Sequence, residues 1–267
     1  LINVNGENNE RLRLILNEAK KNNIKILPPS VNESDKLFTS TNDTLRFGLE
    51  NIKTIKSNIS QVIIDERNKE KFNDLHDFII RMVLNDISLQ ILADLTYANA
   101  LSCFLISKEK IIANLTNLYN YASLFKGLDY KPNSYNDAKY NNIDIPLLIF
   151  ENNEIDYLKK EYDLLGVYLS THPITKIKNS TTLKYNDITS ITNGLYNLIA
   201  KIIQLDKKKT RKGTDYITLT IEDDSASLRI YEYKNMLNEF KKGDIVYLSI
   251  NKNGEKIYIN DIKKLEV

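Results

Sequence analysis

The stretch DKKKTRKGTDYITLTIEDD, Asp206 to Asp224, sets five positive charges within Lys207–Lys212, follows them with a glycine, and then alternates apolar and polar residues. Ile217, Leu219 and Ile221 recur at every second position, the period of a half-buried strand. The basic run reads as a solvated turn or as a loop that grips something acidic. Charge alone leaves both open. Outward from it the same period appears in LYNLIAKIIQLD upstream and in SLRIYEY, DIVYLSI and KIYINDIKKL downstream. A short helical piece, KNMLNEFKK, is expected between the third and fourth strands. That order is the order of a small Greek-key barrel of the oligonucleotide-binding (OB) type.

Such barrels hold single strands with a basic groove and aromatic faces on which bases stack. The usual binding face is strands two and three with the flanking loops. This selects Lys207, Lys208, Lys209, Arg211 and Lys212 in the first loop, and Tyr216, Arg229, Tyr231 and Tyr233 on the strands. Alternation puts Tyr216, Thr218, Thr220, Arg229, Tyr231 and Tyr233 on one outer face, opposite Ile217, Leu219 and Ile221. Solvated tyrosines on a tyrosine-rich chain are the competing explanation. Lys252 and Lys256 flank an Asn253–Gly254 hairpin turn and extend the groove more weakly.

Before Asn193 the period is mostly helical. NNERLRLILNEAKKNN reads as a helix with a basic end, IKIL as a short strand stopped by Pro28 and Pro29, and KLFTS and TLRFG as a hairpin turning at Asn42 and Asp43. From Asn51 to Phe125 several short helices are separated by Asn, Asp and Ser suited to N-caps. KGLDYKPNSYNDAKYNN, 126–142, reads as a mobile connector, and NEIDYLKKEYDLLGVYL as a helix closed by Pro173. The fold class is therefore α+β, a helical domain followed by a five-stranded OB-fold β-barrel.

Composition bounds the chemistry. The 267 residues carry a net charge of +2, so affinity for nucleic acid must come from local patches. Cys103 is the one cysteine, which excludes a disulfide within the chain, and His76 and His172 are too far apart in sequence to suggest a metal centre. No apolar run approaches the roughly 20 residues of a membrane-spanning helix. A cytoplasmic location and no membrane partner are expected. Leu1 reads as the start of a fragment.

Three strings point to one family. NIKILPPSVNES (Asn23–Ser34), LRFGLENIK (Leu45–Lys53) and EYDLLGVYLSTHPI (Glu161–Ile174) resemble, in order and spacing, strings of bacterial replicative DNA polymerase III alpha subunits. The resemblance covers essentially the whole chain and corresponds to the C-terminal region. It implies the end of a fingers-like region over 1–45, a helical domain with a helix-hairpin-helix element over 46–175, a linker over 176–192, and the OB domain over 193–267. It implies single-stranded and duplex DNA as partners, with the sliding clamp and other replisome proteins possible. It places the catalytic carboxylates outside this chain, so no catalytic residue, metal ligand or cofactor is expected here, although the parent polymerase would use Mg²⁺. A rival class is a noncatalytic scaffold that docks clamp or loader proteins.

Within that resemblance the helix-hairpin-helix element is LENIKTIKSNISQVIIDER, with Lys53, Lys56, Ser57 and Asn58 as phosphate contacts. Lys56 stands where the family has a glycine, and a degenerate hairpin that only packs helices is the alternative. The clamp-binding candidate is YASLF, with Tyr121, Leu124 and Phe125; burial in the helical bundle explains the same stretch. Asn99, in place of a family glycine, is expected as a left-handed helix end. His172 is expected as a polar contact at a helix end.

Overall fold

The computed structural model describes residues 9–134, 156–211, 213–234 and 236–265. The chain forms two units, one on Asn22–Ser170 and one on Arg13–Lys21 with Thr171–Val267. Helix α1 (Asn9–Lys21) thus contributes its C-terminal turns to the second unit.

The first unit opens with a small sheet in which β1 (Lys25–Leu27) runs parallel to β3 (Thr44–Arg46), and β2 (Thr39–Ser40) returns antiparallel to β3. Helices α2 (Ser57–Lys69), α3 (Leu75–Leu84), α4 (Leu89–Tyr97), α5 (Lys108–Ser123) and α6 (Tyr157–Leu165) follow. The side chains of Asp74, Ser88, Ser107 and Asp156 each accept a first-turn backbone N–H, so the spacing residues act as N-caps. Phe47, Ile52, Ile63, Phe72, Phe78, Met82 and Leu92 fill the core. Asn99 takes φ 64° at the end of α4, and Ala100 N–H reaches back to Leu95 O at 2.9 Å, as a left-handed helix end requires.

The characteristic strings have internal work. In PPSVNES, Asn32 exchanges two hydrogen bonds with the backbone of Phe72 (2.8 and 3.1 Å), and the Ser34 hydroxyl donates to Phe47 O at 2.6 Å. Val31, fully buried, donates its N–H to Ala100 O at 3.0 Å. Gly48 is required sterically: a Cβ there would lie 2.3 Å from the carbonyl carbon of Leu37. Glu161, also fully buried, accepts from Lys108 Nζ, the Ser170 hydroxyl and the N–H groups of Leu169 and Ser170, all at 2.7–2.9 Å. These bonds, with Gly166 at φ 76°, end α6 at Leu165, well before the Pro173 expected to close it.

A buried ionic knot joins α2 and α3. Arg81, 2% exposed, contacts Glu66 Oε2 and Asp77 Oδ2 at 3.1 Å each and lies over the Phe72 ring. Asp77 also accepts from the Tyr130 hydroxyl at 2.8 Å and from Asn133 N–H at 2.6 Å. Burial pushes the Tyr130 hydroxyl pKa up, and the adjacent Asp77 charge adds to the effect. Of the expected connector 126–142, residues 135–142 lie outside the described residues.

The second unit contains α7 (Thr175–Ser180) and five strands: β4 (Gly194–Lys209), β5 (Asp215–Glu222), β6 (Ser227–Glu232), β7 (Ile245–Asn253) and β8 (Lys256–Lys264). All ladders are antiparallel and the order is β6-β5-β4-β7-β8, so the first strand pairs with both the second and the fourth. This is OB-type connectivity. The sheet is open: β6 and β8 approach one another, but no ladder joins them among the described residues. The sixteen residues of β4 serve both halves, with its N-terminal part on β7 and its C-terminal part on β5. Leu198, Ala200, Ile202, Leu219, Ile221, Ile230, Leu237, Val246 and Leu248 form the core. The helix expected in KNMLNEFKK is replaced by a turn over the described residues, because the Glu232 carboxylate captures the N–H groups of Lys234 and Met236. Leu237 is fully buried in the core, and the half-buried Met236 and Phe240 pack against it.

Candidate nucleic-acid interface

Strand register builds the main surface. Lys208 pairs with Tyr216, Asp206 with Thr218 and Gln204 with Thr220 across β4 and β5; Thr218 then pairs with Tyr231 and Thr220 with Arg229 across β5 and β6. One outward face therefore runs from the hairpin tip through Tyr216 to Tyr231 and Arg229. The rings of Tyr216 and Tyr233 stack with centroids 5.6 Å apart at 25°, and Tyr216 and Tyr231 lie 6.3 Å apart. Tyr231 and Tyr233 are 51% and 57% exposed, while Tyr216 and Arg229 are half-buried. Thr218 and Thr220, expected on this outer face, are buried, and Thr218 donates to Asp206 O at 3.4 Å. The accessible part is thus concentrated at the hairpin end.

The basic run is more ordered than a loop. Lys207, Lys208 and Lys209 are the last rungs of β4, opposite Ile217, Tyr216 and Asp215. The turn proper is short, held by Thr210 N–H to Thr214 O at 2.9 Å, with Gly213 at φ 84°. All three lysines and Arg211 are exposed; Lys209 is within 3.5 Å of Asp215. Lys212 lies outside the described residues. Beside the tyrosines, a concavity of about 360 Å³ is lined by Lys207, Lys208, Lys209, Asp215, Tyr216, Ile217 and Asn238. Asn238, in the turn after β6, was invisible to periodicity, because only the fold brings it to the β4–β5 hairpin.

In the first unit, Leu49–Asn51 form a turn of 3₁₀ helix, Ile52 to Lys56 make the hairpin, and α2 follows. Lys56 is the N-cap, with φ −88° and no side-chain cap bond; its carbonyl accepts from the Ile59 and Ser60 N–H groups, so the N–H groups of Ser57 and Asn58 are the ones without an intrahelical acceptor at the start of α2. Lys53, Lys56, Ser57 and Asn58 are all exposed. Lys53 Nζ donates to Asp163 O at 2.7 Å, and Lys36 Nζ, which sequence reading missed, donates to Ser57 Oγ at 3.2 Å. Tyr121 and Phe125 are each 4% exposed and pack edge to face, leaving Leu124, at 59%, as the displayed member of YASLF.

A further polar cluster surrounds Lys178. The carboxylates of Asp187, Asp223 and Asp224 converge to within 4.8 Å, but the Lys178 ammonium occupies their centre, 2.6 Å from Asp187 and 3.1 Å from Asp223 and bonded also to Asp224. A Mg²⁺ ion does not fit this group with Lys178 in place. Burial lowers the Lys178 pKa, but the three carboxylates outweigh it and raise the net value. For Asp223 burial pushes upward, yet Ser225, the Ile188 and Ala226 N–H groups and Lys178 hold its carboxyl below the usual range. His172, buried, accepts from Ile174 N–H through Nδ1; burial pushes its pKa down to about 4 against the opposing pull of Asp224 and Asp223. Cys103, exposed, carries a thiol whose pKa burial of its sulfur raises, and it accepts from Asn32 Nδ2 at 3.7 Å.

Residues 23–111 match a family model described as a helix-hairpin-helix motif. The chain is similar over most of its length to DNA polymerase III alpha subunits. It is 28% identical to that of Buchnera aphidicola from Acyrthosiphon pisum over 88% of this chain and 21% of the relative. With the Bacillus subtilis subunit the identity is 27% over 83% of this chain and 20% of the relative. The Staphylococcus aureus subunit is 26% identical over 99% of this chain and 25% of its own length. The chain therefore spans about a fifth of the length of the curated relatives it matches. A solved structure of a replication factor A related protein from Methanobacterium thermoautotrophicum aligns with 33% of this chain at 17% identity and a TM-score of 0.25, too slight a likeness to add to the strand order. Among the described residues no helix is long and apolar enough to cross a membrane.

Proposed function

We propose that this chain, a relative of the bacterial DNA polymerase III alpha subunits, is a noncatalytic DNA-holding region that serves template-directed DNA synthesis by the parent polymerase. The OB-type sheet would hold the template single strand, and the helix-hairpin-helix element the product duplex. The observation that carries the first half is the junction of Lys207–Lys209 with the Tyr216–Tyr231–Tyr233 face on one end of one sheet. A cationic rim beside stacked, exposed rings suits a backbone whose phosphates need neutralising and whose bases need flat partners. For the duplex, Lys36, Lys53 and Lys56 surround a helix N-terminus of the kind that faces phosphate. The Mg²⁺ and carboxylates of nucleotidyl transfer would be supplied by other parts of such a subunit.

Salt-dependent fluorescence anisotropy with a labelled oligo-dT tests this reading. Binding should weaken with salt, and replacing Lys207, Lys208, Lys209, Arg211 and Lys212 by Ser should flatten the log–log slope by about 0.7 for each phosphate contact removed. Absence of binding at low salt, or a slope indifferent to those substitutions, would instead favour a scaffold that docks clamp or loader proteins.

A further inference from the structure

We infer that the concavity between the β4–β5 hairpin and the turn after β6 is an anion site on the back of that hairpin, and that it takes one phosphodiester of a bound single strand that wraps round the hairpin tip. The inference rests on the single-strand reading above and adds a path to it.

Strand register divides the basic run between two faces. Leu205 pairs with Leu219 and Lys207 with Ile217, and both Leu219 and Ile217 belong to the core. Side chains two residues apart share a face of a strand. Lys207 and Lys209 therefore continue the core-side row of Leu205 past the point where the core ends. Lys208 pairs with Tyr216 and points the other way, to the face that carries Tyr231 and Tyr233. The concavity, about 360 Å³, lies where the back row ends: Lys207, Lys209, Asp215 and Asn238 stand round it, and the buried Ile217 closes it toward the core. The intervening rung, Lys208 with Tyr216, also borders it and separates it from the exposed rings.

The charge of the site matches a phosphodiester. Lys209 Nζ lies 3.5 Å from Asp215, which offsets one of the two ammonium groups of the back row. The Lys207 ammonium is left to meet a single negative charge, and the exposed Asn238 carboxamide adds N–H donors from a separate segment. Leu237 is fully buried and Glu232 holds Met236 N–H at 3.2 Å, so Asn238 stands next to a fixed point of the chain. Donors from two segments thus converge before any ligand arrives.

A carboxylate of an acidic protein partner would meet the same charges. The strand is favoured because the site is continuous with the ring face. One rung separates the two, the turn held by Thr210 N–H to Thr214 O is short, and the exposed Arg211 at that turn supplies a cation on the way across.

The test uses the full chain with labelled oligo-dT of twelve nucleotides and with unlabelled oligo-dT of four, read by competition, within the roughly 4–16 nucleotides that such folds cover. Lys207→Ser with Lys209→Ser should take about 0.7 off the salt slope of the longer strand, the share of one phosphate, which at about 0.1 M salt is a loss on the order of fivefold. The shorter strand, which cannot reach both faces, should lose less. Asn238→Asp, which sets a carboxylate in the concavity, should likewise weaken the longer strand more than the shorter. Equal losses at the two lengths, a larger loss for the shorter strand, or no loss at either overturns the inference and leaves single-strand binding standing. Failure of the unsubstituted chain to bind either strand defeats the single-strand reading itself and this inference with it.

Discussion

The quoted strings of the first unit and the β4–β5 hairpin of the second direct their polar residues oppositely. In the first, polar residues of the quoted strings turn inward: Asn32 and Ser34 close backbone groups of Phe72 and Phe47, and Glu161 organises the turn after α6; outside those strings, Arg81 is 2% exposed between Glu66 and Asp77. In the second, the β4–β5 hairpin turns outward, with exposed lysines beside Tyr231 and Tyr233. These strings are fasteners of the scaffold. The outward surface of the β4–β5 hairpin lies outside them.

Breaking the fasteners should therefore cost stability, and breaking the outward surface should cost binding. The largest expected effect is Arg81→Ala, which strands Glu66 and Asp77 without their cation and should destabilise the first unit by about 3–5 kcal/mol. Urea denaturation followed by circular dichroism checks it; a loss under about 1 kcal/mol would mean the knot is hydrated and the contrast overstated.

Acid should act on the second unit. His172 has a folded pKa of about 4 against 6.5 for the free side chain, so its unfolded form takes up the proton first. Its contribution is complete above about pH 6.5 and is lost as pH falls toward 4, on the order of 3 kcal/mol in all. Asp223, also held low, adds a loss of the same sign at more acid pH, as its carboxyl protonates and releases Ser225 and Lys178. The groups that face His172 are Lys20, Lys201, Asp223 and Asp224. Denaturation midpoints across pH 7 to 4 should fall, and His172→Gln should flatten the upper part of that decline.

Much of the architecture was legible in the residues. Alternation in YITLTIED and SLRIYEY placed β5 and β6, and Asn, Asp and Ser spacing placed the helix starts, because both signals are local. What escaped was set by contacts distant in sequence. Glu232 captures the backbone of the next turn, so KNMLNEFKK does not wind into a helix. Glu161 and Gly166 end α6 before Pro173 is reached. Thr218 and Thr220 alternate correctly yet are buried, since alternation gives the face of a strand and not what covers it. Lys36, Lys178 and Asn238 join their clusters only through the fold.

On the binding side the effects are smaller and leave folding alone. Tyr231→Ala, at a half-exposed ring, should weaken single-strand binding by about 1–3 kcal/mol for the lost stack while changing stability by about 0.5 kcal/mol or less. A stability loss without a binding loss would reclassify the ring as structural. Smaller still, replacing Lys53 and Lys56 by Ser should reduce the salt slope for duplex DNA by about 0.9 per lost contact. An unchanged slope would make that hairpin a packing element only.

The most direct measurement is a titration of labelled oligo-dT into the full chain and into a variant with Tyr216, Tyr231 and Tyr233 replaced by Ser, both verified as folded by circular dichroism. Single-strand affinity should fall at least tenfold in the variant while the salt slope stays the same, since rings and lysines act separately. Equal affinity in the two proteins would contradict the outward-facing sheet as the site that holds the strand.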